Sequence, residues 1–139
     1  MLLERAVPGT ALDTLCAQGR DDEATHILCE IVERIQSARA TIEGWPTVAS
    51  KGEEFARYRP TGRLTQAVID RAAALFRELS ASQRSPVLLH GDLHHENILR
   101  DDAQGWLAID PKGIVAELAY EVAAALRNPD LPSVTPERL

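Results

Sequence analysis

Apolar residues recur at helical spacing twice before Ser82, and the period then changes. Between Asp21 and about Thr41, the residues Ala24, Ile27, Leu28, Ile31, Ile35 and Ala38 fall three or four apart, with Ile42 continuing the series. That spacing predicts an amphipathic helix, capped by Asp21 or Asp22 and ended by Gly44 and Pro46. Leu64, Val68, Ala72, Leu75, Phe76 and Leu79 predict a second helix that runs to about Ser82. Residues 45–62 read as a loop with one helical turn, under which Trp45, Phe55 and Tyr58 are expected to pack. The opening "LLERAVPGTAL" reads as the end of a strand followed by a Pro-Gly turn.

After "SQRSP" the short runs "VLLH", "NILR" and "WLAID" have strand character. The last two, joined by "DDAQG", predict a β-hairpin, and "ELAYEVAAALR" predicts a final helix stopped at Asn128-Pro129. The expected fold is therefore mainly α with a small β-hairpin, an α+β domain spanning residues 1–139 with one small sheet.

Composition narrows the class. An apolar share of 45% and a charged share of 26% are those of a soluble globular domain. Fifteen Lys and Arg against 21 Asp and Glu leave a formal charge of −6, which argues against a nucleic-acid backbone as partner. A cationic small molecule suits that balance better. Only Cys16 and Cys29 are present, and no apolar run is long enough to cross a bilayer, so the expected setting is a reducing cytoplasm without membrane attachment.

Against this background one stretch stands out. "LLHGDLHHENIL" packs His90, Asp92, His94, His95, Glu96 and Asn97 between apolar flanks. A transition-metal site is one reading of such ligand types, but the HExxH spacing that begins at His95-Glu96 meets Leu99 where a histidine is required. Phosphoryl transfer is the better one. It needs a carboxylate beside the acceptor hydroxyl and oxygen ligands that hold Mg²⁺ against nucleotide phosphates. Asp92 opens the loop, Asn97 begins the next strand, and Asp110 ends the strand across the predicted hairpin.

"LLHGDLHHENIL" followed by "LAIDPKG" resembles the Brenner motif and metal-binding segment of the aminoglycoside phosphotransferases. With "LLERAVPGTAL" and "ELAYEVAAALRNP", the chain is similar to the aminoglycoside/hydroxyurea resistance kinases of the streptomycin 6-phosphotransferase type. The resemblance implies the C-terminal lobe of a protein-kinase-like fold, with catalytic and metal-binding segments over residues 90–113. It implies Asp92 as the catalytic base, Asn97 and Asp110 as Mg²⁺ ligands, and His90 as a structural brace. Leu3, Glu4 and Arg5, in a hinge-like segment over residues 1–12, would hold the adenine of ATP through their backbone. The implied substrate is an aminoglycoside such as streptomycin. Lys112 and Glu121 fall in family-like contexts without an assigned step.

The sequence also departs from the pattern. Glu96 stands where a small residue is usual, and is expected to point to solvent. Ala116 and Leu118 replace the usual Gly and Pro after "DPKG". Nothing before residue 90 resembles the phosphate-covering loop or strand lysine of a kinase N-terminal lobe. The expectation is a partial enzyme whose uncovered face favours association. The alternatives are another small-molecule kinase, acting on choline, homoserine or a sugar amine, or a non-catalytic lobe remnant. His94 and His95 are expected to be solvated, and Asp21, Asp22, Glu23, Glu53 and Glu54 to form helix-start charges.

Overall fold

The computed structural model describes residues 4–38, 40–62 and 64–128. Leu3 of the hinge-like segment and Pro129 of the expected helix stop lie outside the described residues. The fold is α+β, and among the described residues it holds two small antiparallel sheets where the sequence predicts one.

Strand β1 (Pro8–Ala11) lies beside β3 (Ile98–Asp101), which pairs with β4 (Gly105–Ala108), giving the order β1-β3-β4. The predicted hairpin is present, with Ile98 opposite Ala108 and Asp101 opposite Gly105. Its turn is tied down by the Asp101 carboxylate, which accepts from the backbone of Ala103 at 2.9 Å and Gln104 at 2.8 Å. The same carboxylate accepts from Val7 at 3.0 Å, which binds the start of β1 to the hairpin. The Pro-Gly pair therefore stands inside the strand and not in a turn after it, because β3 supplies its pairing edge.

The second sheet joins β2 (Val87–Leu89) to β5 (Ile114–Ala116), which periodicity alone does not reveal. Ala116 is fully buried in β5, so the residue that departs from the family pattern fills a strand position and not a turn.

Two helices differ from expectation in instructive ways. Helix α2 (Asp21–Ser37) stops before Ala38 and leaves Ile42 exposed. Its N-cap is Arg20, and neither aspartate caps it; Asp21, Asp22 and Glu23 fill the first turn, where the helix dipole favours carboxylates. Helix α4 (Gln66–Ala81) starts at Thr65, whose side chain accepts from Val68 N–H at 3.4 Å. Its buried face runs through Ile69, with Phe76 half-buried, whereas Val68, Leu75 and Leu79 are 50%, 52% and 58% exposed. Short α3 (Val48–Lys51) and the 3₁₀ segment Gly52–Arg57 pack against that face and set its phase.

Two apolar clusters result among the described residues. One gathers Leu12, Leu15, Ile31, Leu93 and Ile98 around α1 (Asp13–Ala17) and α2. The other gathers Val48, Leu89, Ile114 and Ala116 with Phe76 and Tyr120, the latter from α5 (Ala119–Arg127). Leu89 anchors one cluster and Leu93 the other, so the polar residues between them are held from both sides. Among the described residues no helix is long and apolar enough to cross a membrane.

Candidate active site

The loop from His90 to Asn97 is built by backbone hydrogen bonds that its own sequence makes possible. Gly91 has a φ of +83°, and a Cβ there would lie 2.9 Å from Ile114 Cγ2, so only glycine fits the turn. The next residue, Asp92, is half-buried. Its N–H donates to His90 Nδ1 at 3.3 Å, which makes that nitrogen the acceptor and leaves Nε2 to donate to Ile109 O at 2.8 Å. The carbonyl of His90 accepts from Lys112 N–H at 2.9 Å and Gly113 N–H at 3.0 Å. One buried histidine thus joins the Asp92 turn to the segment carrying Asp110.

Glu121 closes the other side. It is 4% exposed, and its carboxylate accepts from Gly91 N–H at 3.0 Å and Leu93 N–H at 3.1 Å. A carboxylate buried in α5 costs free energy unless hydrogen-bonded, and here the loop backbone supplies the donors. The signal in the sequence was a lone charged residue within the apolar run "AYEVAAAL".

Asn97 Nδ2 donates to the Asp92 carbonyl at 2.9 Å, which turns the amide oxygen away from that carbonyl. The Asn97 carbonyl accepts from Ile109 N–H at 2.9 Å, so Asn97 and the residue before Asp110 lie on bonded backbones. Asp110 is the one non-glycine residue with positive φ among the described residues, at 55°. Such a conformation is sparsely populated, tolerated best by Asp and Asn, and recurs where side chains are held for function. Its carboxylate meets Lys112 Nζ at 2.5 Å, and this hydrogen bond and charge hold the carboxyl below the ordinary aspartate range.

Asp92 and Lys112 face a cavity of about 440 Å³ whose walls include Lys51, Glu54, Phe55 and Tyr58. Two of the aromatic residues expected to pack under the loop, Phe55 and Tyr58, therefore line this cavity, with Phe55 in tilted contact with Tyr58 and Phe76 at centroid distances of 5.7 and 5.3 Å. Trp45 instead covers Gly113, where a Cβ would overlap the indole ring. A second cavity of about 510 Å³ lies across Phe55 and Tyr58, against α4, and holds no residue of the Asp92 loop.

His94 is half-buried and His95 only 8% exposed, so neither is the solvated histidine expected from its loop position. Glu96 does point to solvent. Glu4 and Arg5 are exposed and are not brought to Asp92. Strand β1 runs antiparallel to β3, so they lie past the Asp101 end, opposite Asn97. Among the described residues no three His, Cys, Asp or Glu side chains gather into a metal-holding group.

No solved structure matches the chain significantly. Curated relatives do. The chain is 39% identical over 133 residues to a streptomycin 3''-kinase of Klebsiella pneumoniae, covering 94% of this chain and 48% of the relative. It is 32% identical over 134 residues to a hydroxyurea phosphotransferase of Kitasatospora aureofaciens, covering 92% and 38% respectively. A streptomycin 6-kinase of Streptomyces griseus is 32% identical over 140 residues, covering 91% and 41%. The chain thus spans less than half the length of these relatives. A family profile matches residues 1–138, and the chain belongs to the aminoglycoside/hydroxyurea antibiotic resistance kinases.

Proposed function

We propose that this chain carries the catalytic and metal-holding segments of a kinase-like C-terminal lobe, which transfers the γ-phosphoryl of ATP to a hydroxyl of an aminoglycoside such as streptomycin. The observation that carries the reading is the bonded frame in which His90 joins the Asp92 turn to Ile109, the neighbour of Asp110, and Asn97 bonds to both the Asp92 carbonyl and the Ile109 N–H. In it, Asp92 orients the acceptor hydroxyl and takes its proton, with its backbone held on both flanks by His90 and Glu121. His90 acts as a brace and not as an acid or base.

Asn97 and Asp110 would hold Mg²⁺. Their amide and carboxylate oxygens are the hard donors this ion takes, and one or two protein ligands with substrate phosphates suffice for it. Bound there, Mg²⁺ neutralises the phosphate charge. The backbone of Glu4 and Arg5, which precedes β1, would hold the adenine edge of the nucleotide.

The cavity carries both signs. Glu54, with the faces of Phe55 and Tyr58, suits an ammonium or guanidinium group of the acceptor, while Lys51 and Lys112 suit phosphate oxygens. The hydroxyurea phosphotransferase relative supports a second reading, a smaller hydroxyl-bearing acceptor at the same carboxylate.

The deciding experiment is streptomycin-dependent ATP turnover by the 139-residue chain, with Asp92→Asn as the blank. Any turnover should fall about a thousandfold in the variant. Equal turnover by both proteins would remove Asp92 from the chemistry. A panel with hydroxyurea, choline and homoserine then separates the acceptors; inactivity of this chain on all of them fits a partial enzyme, and only inactivity of an upstream-extended chain across the same panel would favour a non-catalytic lobe.

A further inference from the structure

Of the cations that line the Asp92 cavity, which include Lys51 and Arg127, Lys112 is joined to the loop frame itself. Lys112 lies two residues past Asp110 and lines the cavity on which Asp92 opens. Its stem is fixed at its base, because its N–H donates to His90 O at 2.9 Å. Its Cβ also lies 3.6 Å from the point where a Cβ on Gly91 would stand. The head group is movable: the side chain is 53% exposed, and that of its partner Asp110 is 64% exposed. An ion pair this exposed contributes little to stability, so folding does not account for it.

We propose that Lys112 is a catalytic residue whose ammonium binds the transferred phosphoryl group between the Asp110 side and the Asp92 side of the site. The inference rests on the phosphotransferase reading. An exposed lysine is cationic at neutral pH, and this one reaches from the Asp110 carboxylate, which its Nζ meets, into the cavity that Asp92 also lines. In the transfer, the bond from the γ-phosphorus to the oxygen of the ADP leaving group breaks and a bond to the acceptor oxygen forms. The hydroxyl proton passes to the Asp92 carboxylate. The three peripheral oxygens of the moving group gather negative charge, and an ammonium that reaches them from a stem anchored on the loop backbone stabilises them.

A lysine that only balances Asp110 would not distinguish nucleotides by their terminal phosphate. Calorimetric titration of the full chain with Mg²⁺ and either ADP or a non-hydrolysable ATP analogue therefore tests the assignment. Wild type should favour the analogue. Lys112→Met should lose about tenfold or more of its affinity for the analogue while ADP binding holds, the scale of one charge-assisted hydrogen bond. Lys112→Arg should recover part of the loss, and should the methionine variant melt early, Lys112→Gln carries the same comparison. Equal effects on both nucleotides, or none on either, overturn the role of Lys112 and leave the family reading standing. A wild-type chain that binds neither nucleotide overturns the phosphotransferase reading of this chain and the inference with it.

Discussion

Single residues at this site act mainly by holding backbone in place. Glu121 is the clearest instance, since its carboxylate serves two N–H groups of the loop, on Gly91 and Leu93, on either side of Asp92. Removing a buried acceptor leaves its donors unpaired, and each unpaired group costs about 1–3 kcal/mol. Glu121→Ala should therefore lower unfolding free energy by about 3 kcal/mol. Glu121→Gln, which keeps one carbonyl oxygen, should lose clearly less. Denaturant titration of both variants measures the difference, and equal losses would mean that side-chain packing and not the bonded loop sets the cost. Leu93 is fully buried beside it, so the loop is anchored by a polar and an apolar contact at adjacent positions.

At the scale of elements, the turn "DPKG" shows how two segments far apart in sequence determine one conformation. Gly113 has a φ of +64°, and the Trp45 ring occupies the space a side chain would need. Val115 N–H donates to Pro46 O at 2.8 Å, which holds the two segments together just beyond that contact. Gly113→Ala carries two separate penalties, a left-handed backbone of about 1–2 kcal/mol and an overpacking cost of about 1–3 kcal/mol. Adding Trp45→Ala should relieve the second and not the first, so the double variant should be more stable than the sum of the singles predicts. Strict additivity in thermal unfolding would show that the ring moves aside at no cost.

This contact also marks where the sequence stops being legible. The hairpin from Ile98 to Ala108 is written in its own turn and alternation, and the constellation of Asp92, Asn97 and Asp110 is written in spacing. Strand β5 and the wall formed by Phe55 and Tyr58 depend on partners outside any local window: β2 for the strand, α4 for the wall. The phase of α4 fails for the same reason. Its apolar residues cover more than half the helix circumference, and only the packing of α3 and the 3₁₀ segment selects Ile69 over Val68 for burial.

For the whole molecule, that choice of phase has a consequence at the surface. Val68, Leu75 and Leu79 follow one another at spacings of seven and four residues along α4, each at least half exposed, and Val122 and Leu126 of α5 are 48% and 53% exposed. Scattered apolar residues on a surface are ordinary, but an aligned row on one helix face is an adhesive patch. The two internal clusters do not draw on the α4 row, since their members on that side are Val48 and Phe76. Replacing Leu75 and Leu79 together by glutamine should therefore change unfolding free energy by no more than about 1 kcal/mol, twice the range of an ordinary surface substitution. The same pair should reduce binding of an apolar dye and the concentration-dependent scattering of the protein. The two readouts separate the possibilities cleanly. A large loss of stability would place these leucines in the core that the sequence pattern first suggested, with α4 rotated from the phase described. Unchanged dye binding at unchanged stability would locate the adhesive surface elsewhere, with α5 the next face to alter.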